Sequence, residues 1–442
     1  MAADGAHLLL IHTAGDPRPY LERLRRRGFR FSLIKKRPTE ADRTCCYQVV
    51  DWDYQEDLSR TLGLAEGLHR EHPLDGVLSF SESGVIAASL VAQHLGLPGN
   101  PPRAALRARN KYLMRQALQG AGLPTPAFHL VQDAAQIRTL LRAAGQPMVL
   151  KPISGSSSYG VTRLTPEHSE AQIAARLEDV RAYIRDYRQH NPQYPFEFWL
   201  PPEGLGIPAT EVLSPEEDFL LEGFIPGQQF SVDGLACGDQ VTCLGVIEIE
   251  RIKDASYFLE YEEWMPTRLG PERERQIEAV VAQAVRALGL ERSCFHCEVK
   301  LNPAGVFVLE IAARRGADNI ADFLQQVMDI DIYEEGLLLA CGQERHYRNL
   351  RPRCYMKMRY FLPPVSGTLE AIEGVEAVSA DPRVSELELL VAPGDPVLTP
   401  PEGYEFLGYL SVRGSTPQEA EATLEELYTR IQFHLAPAPA LP

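Results

Sequence analysis

Lys151 closes the apolar run Met148-Val149-Leu150 and leads into Ser154-Gly155-Ser156-Ser157-Ser158-Tyr159-Gly160. An ammonium at a strand end neutralises phosphate charge. Small residues leave backbone N–H groups free and let the main chain approach an anion. The pattern is not a P-loop, because no G-K-[ST] follows the glycines. Lys111 opens a helical segment just after a proline-rich break and reads as a second phosphate lysine. Leu221-Glu222-Gly223-Phe224-Ile225-Pro226-Gly227 reads as a strand running into a turn. Backbone groups there can read the edge of a planar base, with Phe224 or Ile225 lining its pocket.

Two carboxylates form the next group. Glu298 lies in Phe295-His296-Cys297-Glu298-Val299, and Glu310, twelve residues on, in Val308-Leu309-Glu310-Ile311. Both stretches are strand-like, and Asn302-Pro303-Ala304-Gly305 between them is a tight-turn sequence. A hairpin would set Glu298 and Glu310 opposite each other on one face. Carboxylates that close repel unless a cation or proton intervenes. Oxygen ligands at that spacing suit Mg²⁺, which keeps waters and also binds substrate phosphates. Arg314 follows four residues after Glu310, within reach of that face, where a guanidinium can stabilise a developing anion. Gly316-Ala317-Asp318-Asn319 opens a helix whose N–H groups could face a carboxylate. His296 reads more readily as a packed or hydrogen-bonded histidine than as a metal ligand.

The elements that must position these groups fall into four stretches. Residues 1 to 120 alternate strand and helix signals, from Leu8–Ile11 to a helix at Glu82–Leu95 closed by Gly96. Such a βαβ series implies a parallel sheet. His12-Thr13-Ala14-Gly15-Asp16-Pro17 after the first strand is not G-x-G-x-x-G, which argues against a dinucleotide there. Residues 121–225 form a smaller unit, with a strand near Ala127–Val131, a helix near Ala134–Ala144, a strand pair around the small-residue loop and a long helix near Glu170–Tyr187. The Pro- and Gly-rich chain from Asn191 to Pro215 reads as a surface excursion. Residues 226–350 are rich in strands, with one helix at about Glu272–Leu288. Residues 351–442 read as a compact α+β appendage ending in a helix from Pro417 to Phe433.

Composition narrows the class of protein. The 442 residues are enough for several domains. With 45% hydrophobic and 24% charged residues the chain has an ordinary globular composition. No apolar run reaches the roughly 20 residues of a membrane span. No positively charged leader precedes the first strand, so a cytoplasmic location is the expectation. A net charge of −16 argues against non-specific nucleic-acid binding. Of eight cysteines, Cys294 and Cys297 make a lone C-x-x-C without a second zinc-spaced pair. The cysteines read as buried free thiols. Nothing in the sequence sets the oligomeric state; a homodimer is carried as an expectation.

In combination and in order, Lys111, Lys151, the 154–160 loop, Glu222 to Ile225, Glu298, Glu310 and Arg314 resemble the ATP-grasp superfamily over roughly residues 75 to 350. Within it the chain looks most like the L-amino-acid ligases, or dipeptide synthases. That likeness is carried by Phe295-His296-Cys297-Glu298, Arg314 with Gly316, and a C-terminal lobe containing Phe361-Leu362-Pro363-Pro364-Val365-Ser366-Gly367 and Gly408-Tyr409-Leu410-Ser411-Val412-Arg413-Gly414. The resemblance implies an α/β and α+β ATP-grasp fold with an N-terminal Rossmann-like, biotin-carboxylase-type parallel-sheet domain, a small lid domain and a C-terminal lobe. It implies ATP and Mg²⁺ as cofactors. Lys111, Lys151, Ser154, Gly155, Ser156, Ser157, Ser158 and Gly160 would meet phosphates, and Glu222, Phe224, Ile225 and Gln229 the nucleoside. Glu298 and Glu310 would bind Mg²⁺, and Arg314 would stabilise the intermediate. Glu260, His296, Gly316, Asp318 and Asn319 would meet substrate, and the segment from Asp254 to Arg268, with Tyr261 and Trp264, would line its pocket. Two positions depart from the pattern. Gln229 stands where many relatives have a ribose-facing glutamate, and Ala312 where many have an asparagine metal ligand.

The resemblance implies ATP-dependent joining of a carboxylate to an amine, both from amino acids, through an acyl phosphate. Alternatives are a carboxyphosphate-using ATP-grasp enzyme, a non-catalytic nucleotide-binding module, and an adenylating ligase that would release AMP.

Overall fold

The computed structural model describes residues 5–155, 160–190, 213–214, 216–251, 260–317, 319–399 and 406–437. The expectations for Ser156, Ser157, Ser158, Asp318, most of the 191–215 stretch and residues 254–259 lie outside them.

The N-terminal unit is a four-stranded parallel sheet in the order Gln48–Asp51, Arg30–Lys35, His7–Ile11, Gly76–Leu78. The apolar run Leu8-Leu9-Leu10-Ile11 is wholly buried because helices cover both faces of such a sheet. The expected helix at Glu82–Leu95 is a short 3₁₀ turn, Glu82–Gly84, followed by the α-helix Val85–Leu95. It ends at Gly96 in the left-handed conformation, with φ 67°.

The small unit is a four-stranded antiparallel sheet, ordered Phe128–Val131, Phe219–Gly223, Met148–Pro152, Thr162–Leu164. Helices Ala134–Ala144 and Glu170–His190 pack against it through Ile137, Leu141, Ile173 and Leu177. The strands Met148–Pro152 and Thr162–Leu164 flank the small-residue loop. Gly155 and Gly160 in that loop both have positive φ, 137° and 73°. A side chain on Gly160 would also press to 3.0 Å from Pro152.

One antiparallel sheet of eight strands dominates the rest. Its order is Gly305–Ala312, Arg292–Asn302, Gln228–Cys237, Gln240–Arg251, Glu260–Met265, Tyr355–Phe361, Gly408–Gly414, Val384–Leu389. Helices Pro102–Arg109, Lys111–Gly120 and Pro271–Leu288 cover one face, where Met114, Leu118, Ile277 and Val281 meet Phe230 and Phe295. Thus Lys111 sits at a helix start packed on the large sheet.

Residues 351–442 do not stand apart as an appendage. Three of their strands continue the large sheet beyond Glu260–Met265. The last helix is Pro417–Tyr428, shorter than expected, and Gln432–Pro437 is a strand in a separate three-stranded sheet. Alternation in Gln432-Phe433-His434-Leu435 carries that strand, and a helical reading through Phe433 overran it. Trp264, expected to line the substrate pocket, is packed among cations. It is 3% exposed, with Lys357 Nζ 4.2 Å and the Arg268 guanidinium 4.7 Å from its ring centre. No described helix is long and apolar enough to cross a membrane.

Candidate active site

Lys111 and Glu310 are 199 residues apart and meet at 2.9 Å. Asn110 fixes the start of the Lys111 helix by accepting from the N–H groups of Tyr112 and Leu113. The Lys111 N–H then donates to Ile153 O at 2.7 Å, and its Nζ to Gly155 O at 3.0 Å. One lysine therefore ties the large sheet, through Glu310, to the loop of the small unit. Ser154 is buried beside it.

One turn further along the helix, Arg115 is 1% exposed and lies 2.6 Å from Glu222. It also donates to the carbonyls of Val308 and Leu309 at 2.9 and 3.0 Å, on the strand that carries Glu310. The other Glu222 oxygen is 2.6 Å from Lys151 Nζ. Burial pushes the Glu222 pKa up, but the charges of Arg115 and Lys151 prevail and hold it at about 2. Glu222 therefore binds two cations within the fold, and Lys151 is aimed by it.

The turn after Glu222 is bolted to the carboxylate-bearing hairpin. Lys300 Nζ donates to Ile225 O at 2.9 Å, and Asn302 Nδ2 to Pro226 O at 2.9 Å. Lys300 Nζ and the Arg163 guanidinium stand 5.0 and 4.6 Å from the Phe224 ring centre. Burial, then the cations Arg251, Lys151 and Arg163, lower the Lys300 pKa to about 8. A cation-rich neighbourhood at this turn suits polyphosphate.

Glu298 and Glu310 are register partners across the hairpin, as their spacing led us to expect. Each is partly exposed. Gln229, 2% exposed, donates from Nε2 to both Glu298 at 3.1 Å and Glu260 at 3.0 Å. An amide can bridge two carboxylates where a third carboxylate would repel them. Among the described residues no group of three His, Cys, Asp or Glu side chains forms a metal cage. Two opposed carboxylates with unfilled oxygens fit Mg²⁺, whose remaining ligands are waters and phosphate oxygens. Ala312 pairs with His296 in the hairpin and offers no ligand.

Arg314 follows the Glu310 strand. Its Nε lies 2.5 Å from Glu82, whose other oxygen is 2.7 Å from Arg109. Burial would raise the Glu82 pKa; Arg314 and Arg109 hold it at about 2. The Arg314 loop is also fixed from below. Fully buried Asp233 accepts from the Gly316 N–H at 2.7 Å and from His296 Nδ1 at 2.8 Å. Burial would lower the His296 pKa, but Asp233 overrides it and raises it to about 9. Gly316 is required there, since a Cβ would stand 2.9 Å from the His296 ring. Asn319 is committed elsewhere, donating to the buried Met358 sulfur at 3.1 Å.

Glu82, Arg109, Arg115, Asp233 and Lys300 escaped the sequence reading. Arg115 had a signal, since i and i+4 on one helix share a face. Glu82 had one too, because it follows a parallel strand, where open α/β sheets place ligand groups. Asp233 became visible only through its pairing with His296.

This architecture, two α/β units closing on a hairpin with two carboxylates, defines the ATP-grasp class, and family models agree. An ATP-grasp N-terminal domain matches residues 33–99 and an ATP-grasp domain residues 208–322. The chain has the ATP-grasp fold. More narrowly, residues 359–436 match the L-amino acid ligase C-terminal domain 2. Carnosine synthase 1 of Homo sapiens is 25% identical over 95% of this chain, which spans 50% of that protein. The alanine–anticapsin ligase of Bacillus subtilis strain 168 is 25% identical over 80% of this chain and 76% of that one. The crystal structure of an L-amino acid ligase from Bacillus licheniformis superimposes with a TM-score of 0.81 at 22% identity, covering 98% of this chain and 100% of that one. At that identity the likeness is one of fold.

Proposed function

We propose that this protein is an ATP-dependent ligase that joins the carboxylate of one amino acid to the amine of another. ATP phosphorylates the carboxylate, ADP leaves, and the amine displaces phosphate from the acyl phosphate to give an amide. The observation that carries the reading is the convergence of Lys111, Glu310 and Glu298 beside the loop of Arg314. The ligase names of the relatives support it.

Lys151 and Lys111 would neutralise phosphates, and the turn from Phe224 to Gly227 would hold the base. Glu298 and Glu310 would hold Mg²⁺, which supplies charge neutralisation at the terminal phosphates. Arg314, aimed by Glu82, would face the negative charge that develops on the oxygens of the tetrahedral intermediate. Catalysis of this kind rests on positioning and electrostatics, with water kept out. A cytoplasmic homodimer completes the reading; light scattering tests the dimer.

The test is a coupled ADP-release screen over pairs of amino acids, with the amide product identified by mass. Release of AMP and pyrophosphate would mark an adenylating enzyme instead, and labelled bicarbonate in the product a carboxyphosphate enzyme.

A further inference from the structure

The Arg314 loop runs into the helix Ile320–Phe323 and one π-helical turn, Leu324–Met328. Packing ties that helix to the loop, since a Cβ on Gly316 would stand 2.8 Å from the Ile320 side chain. Ile320 and Phe323 also share a core with Met358 and Tyr409, at the far end of the large sheet. Two polar contacts then join the segment to the edge strand Val384–Leu389. Ser385 Oγ donates to Gln326 Oε1 at 3.0 Å, and the Glu386 carboxyl lies within hydrogen-bonding reach of the Asp322 carboxyl.

The second contact joins two groups that are both anions when ionised. Carboxylates that close repel unless a proton or a cation lies between them. The charges that act most strongly on Glu386 are Asp322 and Glu388, and no cation is among them. The Tyr409 hydroxyl, on the neighbouring strand, donates to Glu388 and is in reach of Glu386. Tyr333 faces Asp322 from the helix Ile332–Ala340, with Arg315 and Arg23 4.3 and 5.8 Å from its ring centre. Arg383 is held by Asp381 and Glu426, and Arg413 donates to the Pro382 carbonyl. One Glu386 oxygen is enclosed with no donor reaching it. Among the described residues no three metal-ligating side chains converge. Burial, then Asp322, pushes the Glu386 pKa up to about 7.

We propose that Asp322 and Glu386 share one proton, and that this proton clasps the helix behind the Arg314 loop to the C-terminal edge strand. Both are positioning residues, acting on Arg314 through Ile320 and Gly316. Once the proton leaves, two carboxylates oppose each other in a half-buried contact and the clasp opens. Its effect on turnover rests on the role given to Arg314 above; its effect on stability does not.

The test compares wild type, Glu386→Gln and Glu386→Ala between pH 5 and pH 8.5. Glutamine keeps the shape and can donate to Asp322 at every pH. The folded value lies above the ordinary 4.5, so the clasp's contribution to stability is present below pH 4.5 and is lost as pH rises through 7. The wild-type urea midpoint should therefore fall more across this range than that of Glu386→Gln. At pH 6, Glu386→Gln should hold kcat within about twofold, and Glu386→Ala should lower it about tenfold with little change in KM for ATP. At pH 8.5, Glu386→Gln should exceed the wild type about threefold in kcat, and Asp322→Asn should do the same. A Glu386→Gln variant whose midpoint and kcat follow the wild type at every pH overturns the proposal. So does a wild-type midpoint, measured without nucleotide, whose pH dependence changes after dialysis against EDTA while that of Glu386→Gln does not, since a cation would then lie between the carboxylates. If no pair of amino acids elicits ADP release but the midpoints behave as stated, the ligase reading falls and the shared proton stands.

Discussion

Two glutamates in this protein each bind one of the two lysines proposed to meet phosphate, and they do so in opposite settings. Glu222 is buried against both Lys151 and Arg115. Glu310 meets Lys111 at the rim of the cleft, partly exposed, with Glu298 across from it. In the first setting every charge has a fixed partner, and rearrangement would strand an ion in a dry interior. In the second, under the function proposed above, the partly exposed Glu310 would exchange Lys111 for a cation and free Lys111 for a phosphate. A buried triad that never rearranges can set the geometry for a cluster that does.

The contrast can be broken most severely at the triad. Glu222→Ala leaves Arg115 buried and unpaired, and should cost about 3–5 kcal/mol of stability, read from urea midpoints. If Glu222→Ala instead left stability intact and abolished only nucleotide affinity, Glu222 would belong to the cleft and the comparison would fail. Glu310→Ala should do the reverse, lowering turnover by at least about 10²–10³ with little change in urea midpoint; Arg314→Ala should lower turnover as much but also lower the midpoint, because it leaves Glu82 with Arg109 alone. Calorimetry should show that Glu310→Ala also weakens the Mg²⁺ dependence of ADP binding.

A smaller effect comes from pH. Glu82 and Glu222 both have folded values near 2, below the ordinary 4.5. Their contribution to stability is therefore present above pH 4.5 and is lost as pH falls from 4.5 toward 2. Glu82→Gln should shrink that acid-side loss, measured as the difference in urea midpoint between pH 6 and pH 3. The smallest expected effect is at Cys294, which is enclosed, with its thiol pushed above the ordinary range by burial. Cys294→Ser should hold turnover within about twofold.

The chemistry-bearing residues were legible to the extent that one strand, one loop or one hairpin contained them. Glu298 and Glu310 are opposed because a tight turn joins their strands, and the turn is written in Asn302-Pro303-Ala304-Gly305. Lys151 and its loop are equally local. What the chain conceals is partnership across long separations: Glu82 with Arg314, Arg115 with Glu222, Asp233 with Gly316. No local pattern demands those pairs, because each depends on how helices and sheets from distant stretches pack. The membership of the large sheet was hidden for the same reason. Alternating strands after residue 350 are compatible with a separate sheet or a shared one, and only tertiary pairing chooses.

That shared sheet has a consequence for any shortened form of the molecule. The strand Glu260–Met265 borders Gln240–Arg251 on one side and Tyr355–Phe361 on the other. A chain ending near residue 350 would keep both Glu298 and Glu310, yet it would bare a row of unsatisfied N–H and C=O groups along Glu260–Met265. Bare edges of that kind recruit other chains. The C-terminal strands thus act as a seal against self-association, and a truncated enzyme should be recovered as aggregate before its chemistry can be assayed.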